Sequence, residues 1–348
     1  MPRLTEAEAK RFALAVLTAS GLSGEDAESV ADGLVEATKR GVSTHGIFRL
    51  PQYSESLRAG RIEKAPKVGV IARRGCTAIV DAGGGYGFRP TRIAADLGIE
   101  IARENGIAIV GVRNSHHFGA AATYAKRPAA AGMIGIVTTT TKARIAPTGA
   151  KGPVVGNNPI AIAVPRRAPH RPVLLDMALS QVAMGRIRIA AANGQQVPEG
   201  WGYDAGGRPT TDPHAILNGL LAAIGEYKGY GLSVMVELLA GALTGSPFGL
   251  TADNHDHPKG GVGHLVIVIA VDFMRDMEAF LDDVETLVRD VHASPKAEGT
   301  QEVFLPGEIE DRKVDEAERL GLLVSDELRA QLAYLAETLK IEPPRYSS

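Results

Sequence analysis

From about residue 66 onward, short β-rich runs recur at residues 67–72, 77–81, 107–112, 134–139, 160–164, 173–176 and 265–271, separated by turns or helical stretches. That alternation restricts the middle of the chain to an α/β core, spanning about residues 66–273. Helices are expected within it at residues 90–105 and 228–243, and Gly119-Ala120-Ala121-Ala122 marks a further helix start packed closely on its neighbours. The flanks, about 1–65 and 274–348, read as mainly helical. Residues 5–19 and 23–40 form a predicted helical pair, the second with Ala27, Val30, Ala31, Leu34 and Val35 at stripe spacing. Ser23 is its expected N-cap, Glu25 and Asp26 suit its first turn, and Gly41 ends it. Residues 274–292 and 311–339 return to helix around a loop at Leu305-Pro306-Gly307-Glu308. Without a repeat or a long linker, residues 1–348 read as one catalytic unit.

Composition narrows the function classes. A net charge of -2 and a pI near 6.5, with no Lys/Arg-rich block, argue against nucleic acid as a partner. Cys76, the single cysteine, cannot form an internal disulfide and suits a reducing cytoplasm as a small buried residue. The N-terminus lacks the apolar segment of a secretory signal. Apolar runs such as 265–271 are strand-sized, short of the roughly 18 to 20 residues of a membrane helix. Residues 231–245 are longer but carry Glu237 centrally, as a buried or interface helix would.

The richest chemistry lies in residues 41–53, where Thr44, His45, Arg49 and Tyr53 share a short segment with the backbone-shaping Gly41, Gly46 and Pro51. If the chain turns helical after His45, positions 45, 49 and 53 share one face, and Pro51 is tolerable only near the helix start. That face would present an acid/base, a carboxylate clamp and a hydrogen-bonding phenol. A dinucleotide fingerprint at Gly83-Gly84-Gly85 fails, because Phe88 stands where the third glycine must allow close packing and no ribose-binding acid follows the next strand. Asn114-Ser115-His116-His117-Phe118-Gly119 sits at a strand end, with His116 as readily a local cap as a ligand and His117 favoured as a cofactor or substrate contact.

Weaker candidates follow. The loop from Gly149 to Pro159, Thr140 in its hydroxyl run, and Asp176 ending a buried run could each meet a polar ligand. Lys228 beside a helix start suits an anion. Asn254-His255-Asp256-His257 with His264 is read as a polar surface loop, not a metal site, because neighbours on an extended loop converge poorly. No G-x-S-x-G elbow supports a serine hydrolase.

Together, residues 43–53, 114–119, Gly156-Asn157-Asn158-Pro159, Asp176-Met177-Ala178 and Lys228-Gly229-Tyr230-Gly231-Leu232 resemble the type 2 malate/L-lactate dehydrogenase family over nearly the whole chain. The resemblance implies a non-Rossmann α/β fold with a mixed sheet core, NAD or NADP as cofactor, a homodimer, and a 2-hydroxy or 2-keto acid substrate. It also implies that His45 is the acid/base, with His117 the alternative, that Thr44 is its hydroxyl partner, and that Arg49 is the clamp. Dinucleotide contacts are implied at His117, Phe118, Gly119, Thr140, Asn158, Asp176, Met177, Ala178, Lys228, Gly229, Pro306, Gly307 and Glu308. Asn157, Leu179 and Arg186 depart from or vary within the family pattern. The rival activity within the family is reduction of a cyclic imino acid such as piperideine- or pyrroline-2-carboxylate. Outside it stands a dinucleotide-binding protein without turnover.

Overall fold

The computed structural model describes residues 2–253 and 260–347. In chain order its strands are β1 (Arg3–Leu4), β2 (Gly69–Arg74), β3 (Thr77–Asp81), β4 (Ile107–Ser115), β5 (Met133–Thr139), β6 (Ile160–Val164), β7 (Val173–Met177), β8 (Gly202–Tyr203), β9 (Leu220–Leu221), β10 (Val262–Ala270) and β11 (Leu322–Leu323). Seven of these form one sheet in the order β2-β3-β4-β10-β5-β6-β7. Only β3 and β4 run parallel, and every other neighbouring pair is antiparallel. The late strand β10 lies at the centre, setting His264 opposite Val112 on one side and Thr139 on the other.

The helices are α1 (Glu6–Ala19), α2 (Gly24–Lys39), α3 (Leu50–Arg58), α4 (Phe88–Asn105), α5 (Ala122–Ala130), α6 (Met184–Ala192), α7 (Pro213–Asn218), α8 (Tyr227–Val236), α9 (Met277–Ala293), α10 (Glu308–Leu320) and α11 (Asp326–Leu339). Small residues let α4 lie close to the sheet. Ala94, Ala95 and Ala102 are buried, and a Cβ at Gly98 would come within 2.8 Å of Val268. On α1 to α3 and α11, Phe12, Val16, Leu34, Leu50, Leu57 and Leu332 form a second core. No helix among the described residues is long and apolar enough to cross a membrane.

The glycine turn after β3 does open a parallel β-α-β unit, β3-α4-β4, but its amides are already used. Gly83 donates to Asp81 Oδ1, Gly84 to the Asn114 carbonyl and Gly87 to the His117 carbonyl. A phosphate cradle needs such amides unengaged, so the failed fingerprint has a structural reason.

Three expectations need correction. The predicted helix over 311–339 breaks at Gly321 (φ 84°), where Leu322–Leu323 pair with Arg3–Leu4 before Ser325 caps α11. Sheet pairing across the two ends satisfies backbone groups that a continuous helix would carry elsewhere. The predicted helix over 228–243 ends at Val236 and widens into a π turn, Glu237–Gly241. Cys76 is half-buried against the sheet core, not enclosed.

Candidate active site

The chemistry of residues 41–53 is assembled by a broken helix, not a continuous one. Ser43–His45 and Ile47–Arg49 form two 3₁₀ turns before α3, in which Pro51 is the second residue. Gly46 between them is extended, and a Cβ there would meet Thr38 Oγ1 at 2.3 Å. That hydroxyl instead accepts from the Ile47 amide at 2.9 Å, pinning the segment to α2. The break turns the segment so that its side chains gather around His117, which arrives on the turn after β4.

The His45 and His117 rings stack with centroids 5.4 Å apart and planes 18° from parallel. Thr44 Oγ1 lies 3.0 Å from His45 Nδ1, and Tyr53 Oη lies 2.5 Å from His117 Nδ1. The Gly119 amide also donates to His117 Nδ1, at 3.2 Å. Arg49 donates through Nε to the Thr44 carbonyl at 2.6 Å and through a terminal nitrogen to Gln52 Oε1 at 2.8 Å. It forms no ion pair with a carboxylate among the described residues. His45 is half-exposed by surface yet enclosed by cleft walls. Loss of solvation, helped by the Arg49 charge, pushes its imidazole down to about 4.

The parts expected to meet a dinucleotide converge on residues 176–179. Asp176 Oδ2 accepts from the Ala122 amide at the start of α5, at 3.0 Å. Its own surface is open, but it lies deep among protein atoms, and that desolvation raises its carboxyl to about 6. The Leu179 amide donates to the Asn157 carbonyl at 2.8 Å, and the Ile224 amide donates to the Leu179 carbonyl at 2.9 Å. Pro306 and Gly307 dock on the edge strand β7, where the Leu174 amide donates to the Pro306 carbonyl at 3.1 Å. At φ 97°, Gly307 has a Leu174 carbonyl 2.9 Å from where a Cβ would stand. Glu308 lines an adjoining charged cavity of about 620 Å³.

Not every expected residue faces the cleft with its side chain. Phe118 is buried, stacked on His264 at 4.5 Å. Thr140 is buried and accepts from the Gly263 amide at 3.1 Å. Asn158 is fully buried, with both amide groups engaged by Thr141, Ser233 and Glu237. These three brace the site from behind. The Lys228 and Gly229 amides donate to the Gly225 and Ile224 carbonyls, so the anion seat expected at that helix start reduces to the exposed Lys228 ammonium. It adjoins a groove of about 770 Å³ between residues 145–151 and Tyr227 and Tyr230.

His116 is buried, and His264 belongs to the core rather than to a surface loop. Its ring nitrogens lie 2.6 Å from Thr139 Oγ1 and 2.8 Å from Ser115 Oγ. Residues 254–257, read with it as a polar loop, lie outside the described residues. Sequence reasoning missed α6. A Cβ at its Gly185 would stand 2.2 Å from Thr44 Cγ2, and the Arg188 charge one turn on acts on Arg49. The only local signal was a glycine ahead of an alternating basic and apolar run.

Residues 4–333 match the malate/L-lactate dehydrogenase family. L-sulfolactate dehydrogenase of Methanothermobacter thermautotrophicus is 33% identical over 341 residues, covering 97% of this chain and 98% of its own length. The Delta(1)-pyrroline-2-carboxylate/Delta(1)-piperideine-2-carboxylate reductase of Pseudomonas putida is 36% identical over 331 residues, covering 93% and 94%. The solved sulfolactate dehydrogenase of Methanocaldococcus jannaschii superposes with a TM-score of 0.89 at 34% identity, over 98% of each chain. With a mixed sheet, a histidine-guanidinium cleft and whole-length kinship in agreement, this chain belongs to the malate/L-lactate dehydrogenase family of NAD- or NADP-dependent oxidoreductases.

Proposed function

We propose that the chain interconverts a small 2-hydroxy acid and its 2-keto acid, with His45 as acid/base and Arg49 as carboxylate clamp. The observation that carries this reading is the His45 imidazole, stacked on His117, beside an Arg49 guanidinium that has no carboxylate partner among the described residues. When bound, the nicotinamide supplies or accepts the hydride. Asp176, Lys228 and the Pro306-Gly307-Glu308 loop would hold the dinucleotide. An open carboxylate at Asp176 and an exposed ammonium at Lys228 fit its polar groups.

As a keto acid is reduced, negative charge grows on its oxygen and a proton must reach it. The two histidines are not equivalent for this task. A backbone N–H can only donate, so the Gly119 amide leaves His117 Nδ1 with its lone pair and the neutral ring with its proton on Nε2. Protonating Nδ1 would set two N–H groups against each other. The Tyr53 hydroxyl could accept from a protonated Nδ1, but the Gly119 amide could not, so His117 is better suited than His45 to donate a hydrogen bond to the substrate oxygen as a neutral ring. A Thr44 hydroxyl can accept from or donate to His45 Nδ1, so His45 keeps its partner in either charge state.

Arg49 retains unengaged N–H groups on a planar fork, suited to gripping a carboxylate at two points. Burial is the larger cause of the depressed His45 pKa and the Arg49 charge the smaller; a bound carboxylate would offset the latter and so favour the proton on the group that must supply it. The same donor and clamp serve a cyclic imino acid, a second reading favoured by the Pseudomonas putida relative. A matrix of 2-keto acids and cyclic imines against NADH and NADPH, followed by absorbance, tests both. Consumption of 2-keto acids is expected. Consumption of imines alone would install the second reading, and consumption of neither would remove both.

We also propose a homodimer through the stretch bearing Leu232, Met235, Leu238, Leu239 and Leu243, apolar side chains 43% to 62% exposed. Light scattering that returns the mass of a monomer would sink it.

A further inference from the structure

Helix α8 carries a carboxylate into the protein at the point where its winding changes. Glu237 begins the π turn and is 3% exposed. It has no arginine or lysine partner among the described residues; three neutral N–H groups hold it instead. The Gly156 amide donates to Oε1 at 3.0 Å, Asn158 Nδ2 to the same oxygen at 2.8 Å, and the Gly249 amide to Oε2 at 2.9 Å. Hydrogen bonds to an ionised acceptor are roughly twice as strong as neutral ones, and a buried carboxylate needs every one of them.

The joint closes a circuit. Asn158 gives its other amide hydrogen to the Ser233 carbonyl at 3.0 Å, one turn earlier on α8. Its oxygen accepts from the Thr141 amide at 2.8 Å. Gly156 is packed so tightly that a Cβ would stand 2.2 Å from Thr141 Oγ1 and 2.4 Å from Asn158 Oδ1. Between Gly156 and Asn158, the Asn157 carbonyl holds Leu179, Leu179 holds Ile224, and the Ile224 carbonyl accepts from Gly229 back on α8. The ring of bonds passes through Glu237, with Lys228 next to its member Gly229 and Asp176 three residues before its member Leu179.

We propose that Glu237 is a positioning residue for dinucleotide binding, clamping the 156–158 loop and the Gly249 turn to α8 so that Asp176 and Lys228 keep a fixed separation. The inference rests on the proposed role of those two residues at the dinucleotide. Glu237→Gln keeps the shape but turns an NH₂ toward at least one of the three donors. Asn158→Ala removes the link from the other side.

The test is titration of each variant with NADH and NADPH by fluorescence, alongside the 2-keto acid KM at saturating dinucleotide and thermal unfolding. Glu237→Gln is expected to raise the dinucleotide Kd roughly tenfold while leaving the keto acid KM nearly unchanged. The double variant with Asn158→Ala should bind no more weakly than Asn158→Ala alone, because both break one circuit. A folded Glu237→Gln with wild-type Kd, an equal rise in Kd and keto acid KM, or full additivity would each overturn the proposal. If Glu237→Gln does not fold, the Asn158→Ala single variant decides by the same split. Failure of the wild-type chain to bind either dinucleotide would instead remove the functional reading, and this inference with it.

Discussion

His45 and His264 look alike by local measures and differ in what surrounds them. Each has a hydroxyl on Nδ1, from Thr44 and Thr139 respectively, and burial drives each far below the ordinary histidine range, to about 4 and about 3. His264 is fully enclosed, with Ser115 on its second nitrogen and Phe118 stacked on its face. His45 keeps an open side, a stacked imidazole and a guanidinium next to it. A depressed pKa therefore does not by itself separate the proposed acid/base from a core histidine. Access to a reactant, and a neighbouring charge that a reactant can offset, separate them.

The largest effect that would break this contrast is loss of His45. His45→Ala is expected to lower kcat by roughly 10²- to 10⁴-fold with dinucleotide affinity retained, because the missing group acts in proton transfer. Single-turnover kinetics with fluorescence titration check it, and near-normal turnover would put His45 on the same footing as His264. Next, Arg49→Lys should raise the 2-keto acid KM by roughly tenfold or more, since a point charge replaces a planar fork. An unchanged KM would leave the cleft histidine without its distinguishing neighbour.

His264→Phe sharpens the other side. The ring stack survives while two hydrogen bonds are lost, so stability should fall by about 1 to 3 kcal/mol with a far smaller loss of kcat than at His45. Its folded pKa lies below the ordinary unfolded value, so neutral His264 contributes stability above the unfolded pKa and loses it as pH falls toward about 3. Urea unfolding at pH 7.5 and pH 5 (roughly either side of the unfolded histidine pKa) should show a smaller acid loss in the variant than in the wild type. Equal losses would remove His264 as a source of acid sensitivity.

The smallest effect concerns pH and rate. Burial, with the Arg49 charge adding to it, pushes the His45 imidazole down to about 4, and a carboxylate seated on Arg49 is expected to lift it. In the reduction direction, the alkaline limb of kcat should therefore lie at higher pH than that of kcat/KM, by roughly one unit. Coincident limbs would mean that substrate does not tune the proton donor.

Much of this was legible in the chain. β-rich runs located all seven strands of the main sheet, with β3 and β6 falling at the expected residues and β2 shifted by two. Ser23, Gly41 and Pro51 marked real boundaries, although the Ser23 hydroxyl donates to Asp26 instead of capping the helix amides, because left-handed turns and helix starts are settled by one or two residues. The candidate site was partly legible for the same reason. Thr44, His45 and Arg49 are neighbours, so their mutual contacts are local. Tyr53 meeting His117, sixty-four positions on, was not written in any spacing.

By itself the sequence determined the strand runs of the main sheet and the first two helices, which short segment gathers a histidine and an arginine, and that the third glycine of a dinucleotide turn is missing. Tertiary structure alone decided that β10 enters between β4 and β5, that a glycine-led helix covers Thr44, that Asn158 turns inward, and that Glu237 is held by three amides. The physical reason is range. Periodicity and capping are set by residues a few positions apart, whereas buried donors and acceptors take whichever partners the closed sheet brings to them, and those lie tens of positions away.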